Sequence, residues 1–242
     1  MLLLENGLVT QSLDSHLDIE KFLSLEDEFY YLFASNYDKT WDVWNAGGIP
    51  FDINWEYLDK SPMLYKTLHK VRDLDPMISK FDNKAALAYY LKLKYKCFSP
   101  YKILHLNVDG EPIKEWVTPA IQDWIKSLPF ETVDLVSLFY NDHFCPLKYH
   151  RDYDYFPVEE GWKGVPDTLQ DVIWFRFDLS RGFNFYDIDS NGNILSTYPV
   201  EGYSSTFNHY NWHGNTEIQE SSSITVKVEG KFTEEFRKKI YG

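Results

Sequence analysis

Apolar side chains follow two different rhythms along the chain, and the change between them falls near residue 131. In the first part Leu17, Phe22, Leu25, Phe29 and Phe33 recur at spacings of three to five, the period of a helix with one buried face. Ser61 before Pro62 and Thr118 before Pro119 set a hydroxyl at an N-cap and proline at the first helical position, where its missing N–H costs little. These signals predict helices over 62–73 and 118–128. Beyond residue 131 the chain breaks into short runs rich in Val, Ile, Phe, Tyr and Thr between turn residues, the mark of antiparallel strands. Strands are predicted at 132–140, 171–179, 183–188, 193–198, 203–208 and 222–229. Asp189-Ser190-Asn191-Gly192 tolerates positive φ and predicts a hairpin between the third and fourth of them. TEEFRKKI at the C-terminus predicts a short closing helix.

No internal repeat, low-complexity tract or Gly/Ser linker divides the chain, so one domain is expected over 1–242. Within it, 1–130 reads as a mainly helical support region, 131–232 as the β core and 233–242 as the C-terminal helix. Residues 153–170, with Pro157, Gly161, Gly164 and Pro166, form the longest irregular stretch of the β half and are expected to act as a lid.

Composition narrows the function. With 44% hydrophobic and 18% aromatic residues the chain has ample material for a packed core. A formal net charge of −13 repels phosphate backbones and anionic membrane surfaces, which argues against nucleic acid or a membrane as a partner. The basic concentrations at Lys92, Lys94 and Lys96 and at Arg237-Lys238-Lys239 read as solvated helix faces. Cys97 and Cys145 form neither a paired framework nor a C-x-x-C, and Glu5 interrupts the N-terminal leucines before they amount to a signal or a span. A cytoplasmic protein is expected.

Chemistry enters at His150-Arg151-Asp152. On an extended backbone residues i and i+2 point to the same side, so one imidazole and one carboxylate can reach a single metal ion. A second imidazole comes from FNHYNWHGN, where His213 is favoured over His209 by its spacing from Phe207 and by the following Gly214. Two His and one carboxylate leave three coordination positions open, an arrangement that suits Fe(II) oxygenases, although a catalytic zinc also takes three protein ligands. The bland alternatives are a chance H-x-D and histidines hydrogen-bonded to backbone.

The wider pattern reads YHRD after a strand, then WFRFDLS, then FNHYNWH with Phe207 six residues ahead of His213, then SSSITVKVEG. Over roughly 132–232 this resembles the 2-oxoglutarate and Fe(II)-dependent oxygenases, and among them the aspartyl/asparaginyl β-hydroxylase-type branch. The resemblance implies a mainly β (α+β) double-stranded β-helix, jelly-roll and cupin-like, buttressed here by N-terminal helices. It further implies iron held by His150, Asp152 and His213, and oxidative decarboxylation of 2-oxoglutarate to succinate. That step is coupled through O2 to hydroxylation of an amino acid, a peptide side chain or another small substrate.

Arg176 is the first candidate to grip the distal carboxylate of 2-oxoglutarate, since a guanidinium pairs bidentately with carboxylates and stays charged when buried. Its strand places Ile173, Phe175, Phe177 and Leu179 on one face and Val172, Trp174, Arg176 and Asp178 on the other. The alternative is a structural arginine paired with Asp178 or Asp171. The commoner family pattern has an arginine about ten residues past the distal His, where this chain has Ser223. Lys227, or the hydroxyls of Ser223 and Thr225 on the same strand face, are the stand-ins, against the plainer reading of that face as solvated. A metal-free jelly-roll binding module and a cupin-like zinc or manganese enzyme are the rival functions.

Overall fold

A computed structural model of the chain describes residues 1–42, 75–82, 86–87, 90, 94, 102–141, 170–180, 182–214 and 223–242. The elements follow in the order β1 (Thr10–Ser12), α1 (Ile19–Leu23), α2 (Glu26–Ser35), β2 (Trp41–Asp42), β3 (Lys102–Asn107), α3 (Pro119–Lys126), β4 (Phe130–Asn141), β5 (Asp171–Arg176), β6 (Asn184–Ile188), β7 (Ile194–Pro199), β8 (Ser204–Phe207), β9 (His213–Gly214), β10 (Ser223–Phe232) and α4 (Glu234–Tyr241).

Every pairing recorded between these strands is antiparallel, and the strands form two sheets. The larger has the order β1-β8-β5-β10-β4-β3-β2 and the smaller β7-β6-β9. From β5 onward the chain alternates between them: β5 in the larger, the β6–β7 hairpin in the smaller, β8 in the larger, β9 in the smaller, and β10 back in the larger, wedged between β5 and β4.

Both faces of the larger sheet are covered. On one, Ile173, Phe175, Ile224, Val226 and Val228 join Leu104, Val136, Leu138 and the apolar sides of α1, α2 and α3 in the main core. Phe22 stacks on Phe177 with centroids 4.2 Å apart, and Trp124 meets Phe175 edge-on at 4.9 Å. On the other, Val172, Trp174 and Phe207 pack with Phe185 and Val200 from the side of the smaller sheet. The alternation read from VIWFRFDL thus separates two buried surfaces.

Local signals account for most element ends. Asp18 caps α1 by accepting from the Lys21 N–H at 3.0 Å, and Thr233 caps α4 through the Phe236 N–H at 3.3 Å. The β6–β7 turn closes with Gly192 at φ +84° and the Asp189 carboxylate accepting from the N–H groups of Asn191 and Asn193, both at 2.8 Å. Gly230 lies beside a register shift in β10, where a Cβ would sit 2.0 Å from the Thr132 carbonyl oxygen. Only glycine fits there.

Three sequence expectations need amendment. The stretch taken as helical support also contributes β1, β2 and β3 to the larger sheet, strands of three, two and six residues that are too short to show a clear period of two. Pro119 opens α3 as expected, but the Thr118 side chain makes no cap hydrogen bond. Arg237 and Lys94 are not simply solvated: Arg237 pairs with Asp171 at 2.5 Å and also with Glu5, while Lys94 pairs with Asp27 and, at 3.4 Å, with Asp75. The predicted helix over 62–73, both cysteines, Lys92 and Lys96 lie outside the described residues. Among the described residues no helix is long and apolar enough to cross a membrane.

Candidate functional site

Of the polar residues singled out by the sequence, Arg176, Ser223, Thr225 and Lys227 lie on one face of the larger sheet, the face on which Val172 and Trp174 pack with Phe185 of the smaller sheet. Along β10, Ser223, Thr225, Lys227 and Glu229 share that face by the two-residue period of a strand. The registers set Thr225 opposite Phe139 and Arg176, Lys227 opposite Ser137 and Trp174, and Glu229 opposite Leu135 and Val172. Contrary to the reading of a solvated face, Ser223 and Glu229 are buried and Thr225 and Lys227 partly so. Ser223 is 3% exposed, the Lys227 side chain 13% and that of Glu229 1%.

A buried charge needs a partner. The Lys227 ammonium lies 2.9 Å from Glu229 Oε1 and 5.6 Å from the Phe139 ring centroid, and Glu229 Oε2 lies 3.5 Å from His209 Nδ1. Beside them, on β3, His105 Nδ1 is 2.9 Å from the Ser137 hydroxyl. Ser223 Oγ is buried and has no hydrogen-bond partner among the described residues. The interior between the sheets is therefore a polar seam in an otherwise aromatic surround.

Burial, and after it the Lys227 ammonium, push the His105 imidazole below its ordinary value of 6.5, while the Glu229 carboxylate pulls the other way. With the folded value lowered, the unfolded chain takes up the proton first as pH falls. Stability is then full above 6.5 and declines as pH drops from there toward the folded value. Urea midpoints measured between roughly pH 7.5 and 5 should show this slope, and His105→Gln should remove it. An unchanged slope in that variant would assign it to other groups.

His213 sits on β9, opposite Phe185 of β6, with the Phe183 and Phe185 rings 5.6 and 5.4 Å away. Its Nδ1 is 2.8 Å from the Asn211 carbonyl oxygen. A carbonyl oxygen can only accept, so Nδ1 carries the proton and the neutral ring keeps its lone pair on Nε2. This is the tautomer that a metal-ligating histidine needs, oriented by the backbone acceptor that such ligands commonly use. His209, the competing imidazole, has its Nδ1 toward Glu229 instead.

Arg176 is buried on β5, with Nε donating to the Gly202 carbonyl at 2.7 Å and a terminal amino group to the Val200 carbonyl at 2.8 Å. Burial draws its pKa below the ordinary arginine value, against the opposing fields of Asp14 and Asp178. Asp14 in turn accepts from the N–H groups of Tyr203 and Ser204 at 2.9 and 2.7 Å. Arg176 and Asp14 together pin the chain between β7 and β8. Asp171, the other acid considered for Arg176, pairs with Arg237 and accepts from the Phe232 N–H at 2.7 Å.

His150, Asp152 and residues 153–169 of the expected lid lie outside the described residues. Among the described residues no three His, Cys, Asp or Glu side chains gather as a metal-holding group. Glu229, His105 and Asn211 were not singled out from sequence. Glu229 had a signal, since the alternation SxTxKxE runs on one step past Lys227, whereas nothing local marks His105 or Asn211.

No family model and no curated protein sequence matches the chain. Solved structures do. A prolyl-4-hydroxylase from Pseudomonas putida is 7% identical with a TM-score of 0.32, the match covering 84% of this chain and 99% of that one. The collagen prolyl hydroxylase of Paramecium Bursaria Chlorella virus-1, solved as its 2OG complex, is 12% identical with a TM-score of 0.32, covering 93% and 97%. A prolyl hydroxylase from Trichoplax adhaerens, in complex with a peptide of the hypoxia inducible factor oxygen degradation domain, is 10% identical with a TM-score of 0.32, covering 94% and 99%. None of these three is an aspartyl/asparaginyl β-hydroxylase, so that branch draws no support from them. Likeness at this level leaves the functional argument to the residues.

Proposed function

We propose that the chain is a non-haem Fe(II) oxygenase that consumes 2-oxoglutarate and hydroxylates an amino acid, a peptide side chain or another small substrate, built on a double-stranded β-helix. The observation that carries this reading is the Nδ1–H of His213 held by the Asn211 carbonyl at 2.8 Å in the interior between the sheets. A buried histidine poised as a donor through Nε2, in a chain that also carries an H-x-D, is what a two-histidine, one-carboxylate iron site requires. The alternation of β5 to β10 between two antiparallel sheets supports the double-stranded β-helix.

The residues fit the groups this reading requires. His150, Asp152 and His213 supply two imidazoles and a carboxylate, which leave open positions for a chelating oxo acid and O2. Lys227, the cation of the enclosed β10 face, offers charge to the distal carboxylate of 2-oxoglutarate, with the hydroxyls of Ser223 and Thr225 on the same face. Arg176, whose Nε and one terminal amino group serve backbone carbonyls, holds the wall beside them. The bound iron would supply the oxidising power for C–H cleavage. The protein's part is to bind, orient and exclude water, and Phe139, Trp174, Phe183, Phe185 and Phe207 give the seam its apolar surround.

Succinate release in the presence of Fe(II), ascorbate and 2-oxoglutarate tests the reading. The parent chain is expected to release it and to bind iron, and His213→Ala to do neither. Iron binding without 2-oxoglutarate turnover would point instead to a cupin-like metal enzyme. Iron binding unaffected by His213→Ala would overturn the ligand assignment.

A further inference from the structure

We propose that the N-terminal segment is a strap that sets the tautomer and orientation of His213, with Asn211 as the positioning residue between them. The functional weight of this inference rests on His213 being a metal ligand, as proposed above.

The connection is short. The Leu2 N–H donates to Asn211 Oδ1 at 2.7 Å, and Asn211 Nδ2 donates to the Leu2 carbonyl at 2.7 Å. Because one bond needs an acceptor and the other a donor, the amide can face Leu2 in only one way. The backbone carbonyl of the same Asn211 accepts from His213 Nδ1, and its N–H closes a turn on the Asn208 carbonyl at 3.1 Å. Asn211 is 4% exposed, so neither amide atom can readily exchange its partner for water.

Apolar burial does not hold this end of the strap. Leu2 and Leu3 are 44% and 55% exposed, and their side chains contribute little packing. Val9 packs against the cluster of Phe185 and Phe207 further along, and polar contacts hold the rest: the paired bonds to Asn211, the Glu5 ion pair with Arg237, and Gln11 Nε2 donating to the Ile240 carbonyl at 3.2 Å. It then enters the larger sheet as β1 against β8, the strand that leads into the His209–His213 loop. A residue some two hundred positions away in sequence therefore braces the carbonyl that selects the His213 tautomer.

Two variants of the full chain separate this role from general folding. Asn211→Ala removes both bonds to Leu2 and retains the backbone carbonyl that His213 Nδ1 faces, now without its brace. Leu2→Pro removes only the Leu2 N–H, at an exposed side chain, and so threatens the core least. In the metal-free parent, 15N spectra of the imidazoles should show His213 protonated at Nδ1 and not at Nε2. Both variants are expected to lose that single-tautomer signature and to bind Co(II), used as the probe metal, about tenfold more weakly, as for the loss of other groups that orient a metal ligand. Circular dichroism melts verify that each variant is folded. Retention of the parent signature in both variants would overturn the strap, whatever the metal does. A His213→Ala chain that binds Co(II) as tightly as the parent would instead overturn the ligand reading, and the 15N result would still decide the strap.

Discussion

Lys227→Ala is expected to destabilise the fold by about 3–5 kcal/mol, the usual cost of leaving a buried charge without its partner. The Glu229 side chain is 1% exposed, its Oε1 lies 2.9 Å from the Lys227 ammonium, and its other oxygen faces His209 at 3.5 Å. Removing the lysine leaves a buried carboxylate with the His209 ring beside it and the apolar Leu135 and Val172 opposite it in the register. The double variant Lys227→Met with Glu229→Leu removes both charges at similar volume and should recover most of the loss, since apolar replacement of a whole buried pair is often neutral or stabilising. Urea unfolding of the two chains provides the comparison. Equal destabilisation of both would show that volume, not charge, governs the site. If Lys227 also receives the cosubstrate, the double variant should fold well and still fail to bind 2-oxoglutarate, which separates the two duties of the residue.

Trp124→Ala should cost a similar amount, about 3–5 kcal/mol, for a different reason. The indole is 2% exposed and lies within 5.6 Å, centroid to centroid, of Phe22, Phe29 and Phe175, joining α1, α2 and β5 around α3. Truncation removes its transfer free energy and leaves a cavity that three rings on separate elements cannot close together. A thermal melt or urea midpoint provides the test. A loss under about 1 kcal/mol would mean that the rings collapse into the space. Trp124 packs on the face of the larger sheet opposite that of Val172 and Trp174, so the iron binding proposed above should be unchanged in the folded fraction.

The strands of the β half were legible because their signal is local. The six predicted runs each contain or overlap β4 to β8 and β10, with ends shifted by a few residues. The proline that opens α3, the acidic first turn of α4 and the Asp189–Gly192 turn likewise act within a few positions of themselves. The two-residue alternation also sorted Val172, Trp174 and Arg176 from Ile173 and Phe175 correctly.

That same alternation could not say which faces are covered. Ser223, Thr225, Lys227 and Glu229 alternate with apolar neighbours as a solvated face does, yet Ser223 and Glu229 are buried and Thr225 and Lys227 partly so, with His209 brought against Glu229 from elsewhere in the chain. By itself the sequence determined the strands β4 to β8 and β10, the helices α3 and α4, the faces shared by side chains along β5 and β10, and the seam residues Arg176, Ser223, Thr225 and Lys227. Strand order, the wedging of β10 between β5 and β4, the Lys227–Glu229–His209 contacts and the grip of Leu2 on Asn211 were decided only by the tertiary structure, since each joins groups brought together by folding, and no local preference encodes the partner.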